Sequence, residues 1–418
     1  MFTDQLGAER GTRGLPGLPR VGNRPLTLDA LFTRMARARP AALAVQLGSG
    51  RLTYGAAETW ATRLASLLVL DGVQLGDPVI VHCADLRQAL VAQLAVLKAG
   101  GVCVPVSPRL DGSGLRRIAG ISGAPLVLCG LANRTRWQSY RPVLVLDAAE
   151  IQDRLRLLRA DPSLPRSDSM DAAHLLIAGE DPCSGQLVDH RAWQFSIAAR
   201  RRQIGPAERV VVLSEEPLGA PALSGMWWTF ASGGTLYGRA DRRELVRWPV
   251  WAGRSTAVFS PEEYATVLDT LGRGTKSAGP GTVVLVGGPC PRDLPERHFA
   301  ALPGTRLWAE FAPGGAMPWT SREISPRDAA EEALGIGTPV PNVQVQILGP
   351  DGAAVPTGRV GEVCAVGPAL PFDSVHALGL EPWLTPTGSP LRSSWLGRRR
   401  PDGSLEVTER CPVPETVA

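Results

Sequence analysis

The sequence predicts an α/β protein built on parallel sheet and followed by a smaller antiparallel β unit. Three observations carry this reading. Short apolar runs of strand length alternate with stretches of helical spacing from Leu28 to Trp308. After Ile336 the runs alternate apolar and polar residues, and Gly-Pro-Asp-Gly and Pro-Asp-Gly turns separate them. The chain has 418 residues of ordinary apolar content, enough to bury a large core in more than one subdomain.

Residues 1–24 are rich in Gly, Pro and Arg and read as a flexible leader. Leu28, Leu31, Phe32 and Met35 have helical spacing, with Thr27 as N-cap. Ala61 to Leu70 is a second amphipathic helix. Val79 to Cys83 is a short buried strand, and a helix from Arg87 to Ala99 ends at Gly100. Gly101 to Pro105, Leu126 to Cys129 and Val143 to Leu146 continue the strand series. Val210 to Leu213, Thr282 to Val286 and Thr305 to Trp308 resume it, around a helix from Glu262 to Leu271. Val343 to Ile347, Gly361 to Val366 and Ser404 to Val407 form the antiparallel unit. No internal repeat of fixed period is present.

Composition narrows the function classes. A net charge of +4 gives no nucleic-acid or membrane footprint. The runs Arg200-Arg201-Arg202 and Arg398-Arg399-Arg400 read as solvated faces. Lys98 and Lys276 are the two lysines, so arginine carries almost all the positive charge. Seven scattered cysteines without a CxxC pair predict buried free thiols in a cytosolic protein. Five histidines without ligand spacing predict no metal site, and no apolar run of about 18 residues predicts a membrane span. Cys183, near Ser184 and His190, reads as an ordinary loop cysteine rather than a nucleophile. Trp227-Trp228 reads as core, the alternative being a docking patch.

Several stretches resemble one family. Leu391-Arg392-Ser393-Ser394-Trp395-Leu396-Gly397-Arg398-Arg399-Arg400-Pro401-Asp402-Gly403-Ser404-Leu405-Glu406 is similar to Y-R-T-G-D-L-x-R-W-R-P-D-G-x-L-E, without a gap. Leu52-Thr53-Tyr54 resembles L-T-Y-x-E-L, and Leu97 to Pro108 resembles L-K-A-G-x-A-Y-V-P-L-D-P. Ser232-Gly233-Gly234-Thr235-Leu236 is similar to L-x-S-G-A-T-L, and Val286-Gly287-Gly288 to G-G-E. Ile336 to Asn342, with Gly361-Glu362-Val363, resembles I-G-x-P-x-x-N followed by G-E-L. Together these cover about residues 26 to 410 in family order. The family is the adenylation domains of nonribosomal peptide synthetases, among the AMP-forming adenylating enzymes.

That resemblance implies two stacked mixed or parallel sheets flanked by helices in αβαβα layers, plus a small C-terminal β-barrel. The expected divisions are a first α/β subdomain over 25–207, a second over 208–340, the barrel over 341–410 and a tail over 411–418. The family continues through G-R-x-D-x-Q into a mobile domain carrying a catalytic lysine. Here Glu409-Arg410-Cys411-Pro412 stands at that hinge, and the chain stops at Ala418. Because proline fixes φ, the expectation is a native ending without the mobile domain.

The resemblance also locates the reacting groups, and most are replaced. The phosphate loop Y-T-S-G-S-T-G-x-P-K-G maps onto Leu176 to Gly185, ahead of the helix start Asp189-His190-Arg191-Ala192-Trp193. Gly179 and Gly185 remain, Ser184 takes the lysine position, and Glu180 and Asp181 put two negative charges where phosphates would sit. A like-charge pair at ~4 Å costs about 1 to 4 kcal/mol in wet surroundings. The motif N-x-Y-G-P-T-E falls on Ala309 to Gly315. Phe311 keeps a ring for the adenine and Pro313 keeps the turn. Gly315 replaces the magnesium glutamate, with Glu310 as a wrongly phased substitute. The F-D pair that anchors the substrate amine falls on Gly219-Ala220, beside the glycine pair Gly287-Gly288 of the same pocket. Losing that charge-assisted bond costs about 1.5 to 3 kcal/mol. The ribose aspartate falls on Trp395, whose indole donates once and accepts nothing, and Arg410 persists near it.

Three functions follow. The first is a catalytically defective adenylation-like protein, needing no cofactor, that acts as an interaction or structural partner in nonribosomal peptide biosynthesis. Its implied partners are synthetase domains, a carrier protein or a small MbtH-like protein. The second is a divergent ligase using ATP and Mg, completed by another chain. The third is a binding module that holds a small molecule in the old acyl pocket.

Overall fold

The computed structural model describes residues 26–137, 139, 142–161, 163–177, 184–213, 215–239, 255–271, 279–330, 334–378, 381–384 and 389–411. Helix α1 (Leu28–Ala38) is capped by Thr27, whose hydroxyl accepts from Ala30 N. The hairpin β1 (Leu43–Leu47) and β2 (Gly50–Thr53) leads into α2 (Tyr54–Leu70), capped by Thr53. Strand and helix then alternate: β3 (Pro78–His82), α3 (Leu86–Lys98), β4 (Val102–Pro105), α4 (Gly112–Ser122), β5 (Leu126–Cys129), α5 (Arg134–Trp137), β6 (Val143–Val145) and α6 (Ala149–Leu157). Strands β7 (Ala172–Ile177) and β8 (Ser184–Asp189) precede α7 (His190–Gln203). The alternation resumes with β9 (Arg209–Leu213), α8 (Ala220–Ser232), β10 (Thr235–Arg239), β11 (Thr256–Phe259), α9 (Pro261–Leu271), β12 (Thr282–Gly287), α10 (Leu294–Ala301) and β13 (Arg306–Phe311). The antiparallel remainder holds β14 (Thr320–Ile324), β15 (Gly335–Pro339), β16 (Gln344–Leu348), β17 (Gly361–Val366), β18 (Asp373–Leu378), β19 (Glu381–Leu384), β20 (Leu391–Arg399) and β21 (Leu405–Arg410).

Two mixed sheets organise these elements. Thirteen strands run β16-β17-β20-β21-β15-β14-β13-β12-β11-β9-β10-β1-β2, and eight run β19-β18-β8-β7-β4-β3-β5-β6. The two-residue period of each strand sorts its side chains into layers. Val210 and Val212 of β9 join Val79 and Val81 of β3 in one core, with α2, α3, α7 and α8 between the sheets. Val211 and Leu213 point the other way, onto Tyr264 and Leu268 of α9 and Leu294 of α10. Ile80 of β3 likewise packs under Leu115 and Ile118 of α4 with Trp137. The result is the αβαβα layering. Trp227 and Trp228 are 2% and 1% exposed, so both are core.

The expected C-terminal barrel is not confirmed, and the strands there join the two sheets. Strands β15, β16, β17, β20 and β21 extend the larger sheet, while β18 crosses to pair with β8 in the smaller one. The junction is a register shift between Gly335 and Gly337, where β15 passes from β14 to β21. At Gly337 φ is +88°, and a Cβ would lie 2.3 Å from the Ser321 carbonyl oxygen, so only glycine fits the bend.

The turns of the resemblance are built by backbone geometry. Gly100 (φ +81°) carries α3 into β4, and Gly233 (φ +69°) ends α8 before β10. The Tyr54 hydroxyl donates to the Gly234 carbonyl at 2.7 Å, which ties two of the motifs together. No helix among the described residues is long and apolar enough to cross a membrane.

Candidate functional site

Ligand crevices of such sheets open where the parallel strands end. At the end of β12, Gly287 has φ +137° and its carbonyl accepts from Ala312 N at 2.7 Å, just past β13. Phe311, cross-strand from Gly287, is 2% exposed and meets Trp319 edge-on at 6.1 Å. Its ring is therefore committed to the core.

Trp395 of β20 reaches this place from the antiparallel unit. A Cβ at Gly288 would meet the indole Cζ2 at 3.8 Å, so the ring lies against that glycine. Trp395 and Arg410 are cross-strand partners, and the guanidinium carbon sits 4.8 Å from the indole centroid. Gly287, Gly288, Phe311, Trp395 and Arg410 thus gather at one corner.

A second corner forms where β7 and β8 meet the loop after β13. A Cβ at Gly315 would meet Leu176 Cδ1 at 3.2 Å, and one at Gly314 (φ +79°) would meet the Gln186 amide at 2.8 Å. Gly185 pairs with Ile177 on one side and Val375 on the other. Pro313 is buried between the two corners. Gly179, Glu180 and Asp181 lie outside the described residues, and of Ser184 the backbone alone is described, opening β8. Downstream, Asp189 caps α7 by accepting from Ala192 N at 2.5 Å.

Glu310 corrects the sequence expectation. It is no stand-in metal ligand: Arg200 of α7 donates to both its carboxylate oxygens, at 2.7 and 3.0 Å, and both side chains are 1% exposed. Arg200 is accordingly not part of a solvated face, although Arg201 and Arg202 are exposed. The arginine also donates to the Ala316 carbonyl, as does Ser224 of α8. Ser224 stands one helical turn after Ala220, the first residue of α8. Protein groups therefore occupy the interior at Ser224, one turn along α8 from Ala220. A lone arginine in an Arg-Arg-Arg run gives no sign of such a partner.

Two carboxylates, the first beside Gly219, carry no signal in the motifs. Glu216 packs its Cβ beside Gly219, and burial pushes its pKa up against a Ser107 hydrogen bond and the Arg109 charge. Arg109 pairs with both Glu215 and Glu216. Glu263 is raised by burial and by the Glu216 charge, against hydrogen bonds from Ser260. Its local signal was legible: Ser260-Pro261-Glu262-Glu263 is a capping box, with Ser260 N donating to Glu263 and Glu263 N to Ser260 Oγ. Among the described residues, no three His, Cys, Asp or Glu side chains converge as for a metal ion.

The family described as AMP-binding enzyme matches residues 32–186 and 185–371. Surfactin synthase subunit 2 of Bacillus subtilis is 27% identical over 414 residues, covering 92% of this chain and 11% of that protein. Phosphinothricin tripeptide synthetase PhsB of Streptomyces viridochromogenes is 28% identical over 422 residues, covering 95% of this chain and 34% of that protein. The chain thus spans about a third or less of these curated relatives. The solved nonribosomal peptide synthetase FmoA3 shares the fold with a TM-score of 0.76 at 24% identity, over 93% of this chain and 43% of that one. The N-terminal subdomain of Klebsiella oxytoca NpsA, in complex with 3-hydroxyanthranilyl-AMSN, matches with a TM-score of 0.72 at 16% identity, over 92% of this chain and all (100%) of that one. The motifs, the layered sheets and these matches agree: the chain belongs to the AMP-binding enzyme family, and the curated relatives it resembles are nonribosomal peptide synthetase subunits.

Proposed function

We propose that this adenylation-domain relative does not form adenylates and serves as an interaction or structural partner in nonribosomal peptide assembly. The observation that carries the reading is Trp395 lying on Gly288 with the Arg410 guanidinium over its ring. An indole there supplies bulk and one donor where a ribose needs a carboxylate acceptor. Among the described residues, those at the expected metal position do not fit magnesium either. Gly315 offers no side-chain oxygen, and Glu310 is engaged by Arg200. Lys98, the lysine among the described residues, is held by Glu58 and Thr33 at 2.8 Å each. The partners this reading implies are a synthetase domain, a carrier protein or an MbtH-like protein.

Titration calorimetry of ATP with magnesium, on the natural chain and on Trp395→Asp, tests the reading. The expected result is no heat from the natural chain, and a complex with a purified carrier or synthetase domain. Micromolar nucleotide binding by the natural chain would overturn it in favour of a ligase completed by another chain. Glu216 and Glu263 give that second reading its own support, since a carboxylate pair beside Gly219 and Pro261 suits a substrate ammonium.

A further inference from the structure

We infer that the interior where α1, α3, α7, α8 and β7 meet is a binding site for water, a hydrated polar cluster that fastens α1 to α7. Asp29, His174, His190 and Trp193 are 0% exposed and Trp227 is 2% exposed. Both carboxylate oxygens of Asp29, Nε2 of His190, Nδ1 of His174 and Nε1 of each tryptophan have no partner in the protein. Buried polar groups in folded proteins are rarely left so. His174 lies 5.2 Å from Trp193 and 5.9 Å from Trp227, ring to ring, and the two indoles are 6.4 Å apart. Leu28 N, the backbone neighbour of Asp29, bonds His190, and His190 and Trp193 stand one helical turn apart on α7.

The tautomers follow from the bonds that are made. Leu28 N donates to His190 Nδ1 at 3.0 Å, so the neutral ring carries its proton on Nε2. The Gln93 amide nitrogen donates to the Ala89 carbonyl, so Gln93 Oε1 accepts from His174 Nε2 at 3.1 Å and leaves Nδ1 bare. The open groups are therefore three donors (His190 Nε2–H and two indole N–H) and three acceptors (two Asp29 oxygens and His174 Nδ1). A bound cation would want acceptors alone, and an anion donors alone. Water both donates and accepts, and a buried water makes about three such bonds.

The first test is on the natural protein. A high-resolution crystal structure and oxygen-17 relaxation dispersion should show long-lived waters within hydrogen-bonding distance of Asp29 and His190. Density showing these groups in dry contact, with no slowly exchanging water, would overturn the inference. Asp29→Leu gives an independent reading through its sign. If the carboxylate is bridged by water, this near-isosteric change lowers the unfolding midpoint and removes at least one slow water. If the carboxylate is dry and unpartnered, the same change raises the midpoint and the inference fails. Should Asp29→Leu not fold, the crystallographic and relaxation results on the natural protein decide alone.

Discussion

At Gly234, in one family turn, an added Cβ would come within 2.1 Å of the Ala207 carbonyl, whereas at Gly288 it would meet Trp395 at an ordinary 3.8 Å. The first glycine is required by backbone packing. The second is compatible with a side chain. This contrast extends across the molecule. Gly100, Gly233 and the Tyr54–Gly234 bond build turns that no other residue serves as well. In the proposed reading, Trp395, Gly315 and Ala220 stand where chemistry, not backbone shape, would dictate the residue. On that reading scaffold and site change independently, since a shared fold does not by itself carry function.

Acid should produce the largest break, and in the scaffold. Four of the five histidines are fully buried. Burial is the first cause holding His82 down to about 4 and His174 to about 3, and it lowers His190 and His298 too. A free histidine titrates near 6.5, so the unfolded chain takes up these protons first. Their stabilising contribution is complete above about pH 6.5 and is lost as pH falls toward 4, at about 1.4 kcal/mol per pKa unit for each group. Urea midpoints measured between pH 7 and pH 4.5 should fall steeply, and a flat profile would contradict neutral burial.

Next in size is the buried pair of Arg200 and Glu310. Glu310→Ala leaves Arg200 uncompensated and should cost about 3–5 kcal/mol, while Arg200→Met with Glu310→Leu should recover most of it. Chemical denaturation of the three variants measures this, and a small single-variant effect would mean that water reaches the pair. Gly234→Ala should cost about 1–3 kcal/mol through backbone overlap, again by denaturation. The smallest effect belongs to the site corner. Trp395→Asp removes a half-buried ring and its cation–π contact for about 1 kcal/mol. Its thermal midpoint should move least of the series, which would sharpen the contrast between turns and site.

Much of this fold could be read in the chain. Strands such as Val210–Leu213 announce themselves by short β-branched runs, and Gly100 marks its helix end. The antiparallel extension could not be read as such. Whether strands close on themselves or continue a sheet depends on the Gly335–Gly337 bulge, whose register is set by Ser321 and Leu405 far along the sequence. Motifs gave Trp395 and Gly288 to two different expected sites, and the structure brings them together at one corner. The site was not legible where the partner is remote: Arg200 and Glu310 are 110 residues apart. Glu216 and Glu263 are likewise joined by tertiary packing alone.

Lys98 also makes the α1–α2–α3 junction measurable. The residue is 4% exposed, and its ammonium bridges Thr33 of α1 to Glu58 of α2. An amine-reactive reagent can reach it only when that junction opens. Site-resolved mass spectrometry of Lys98 labelling therefore gives a clock for local opening, readable in a mixture and at native pH without any engineered probe.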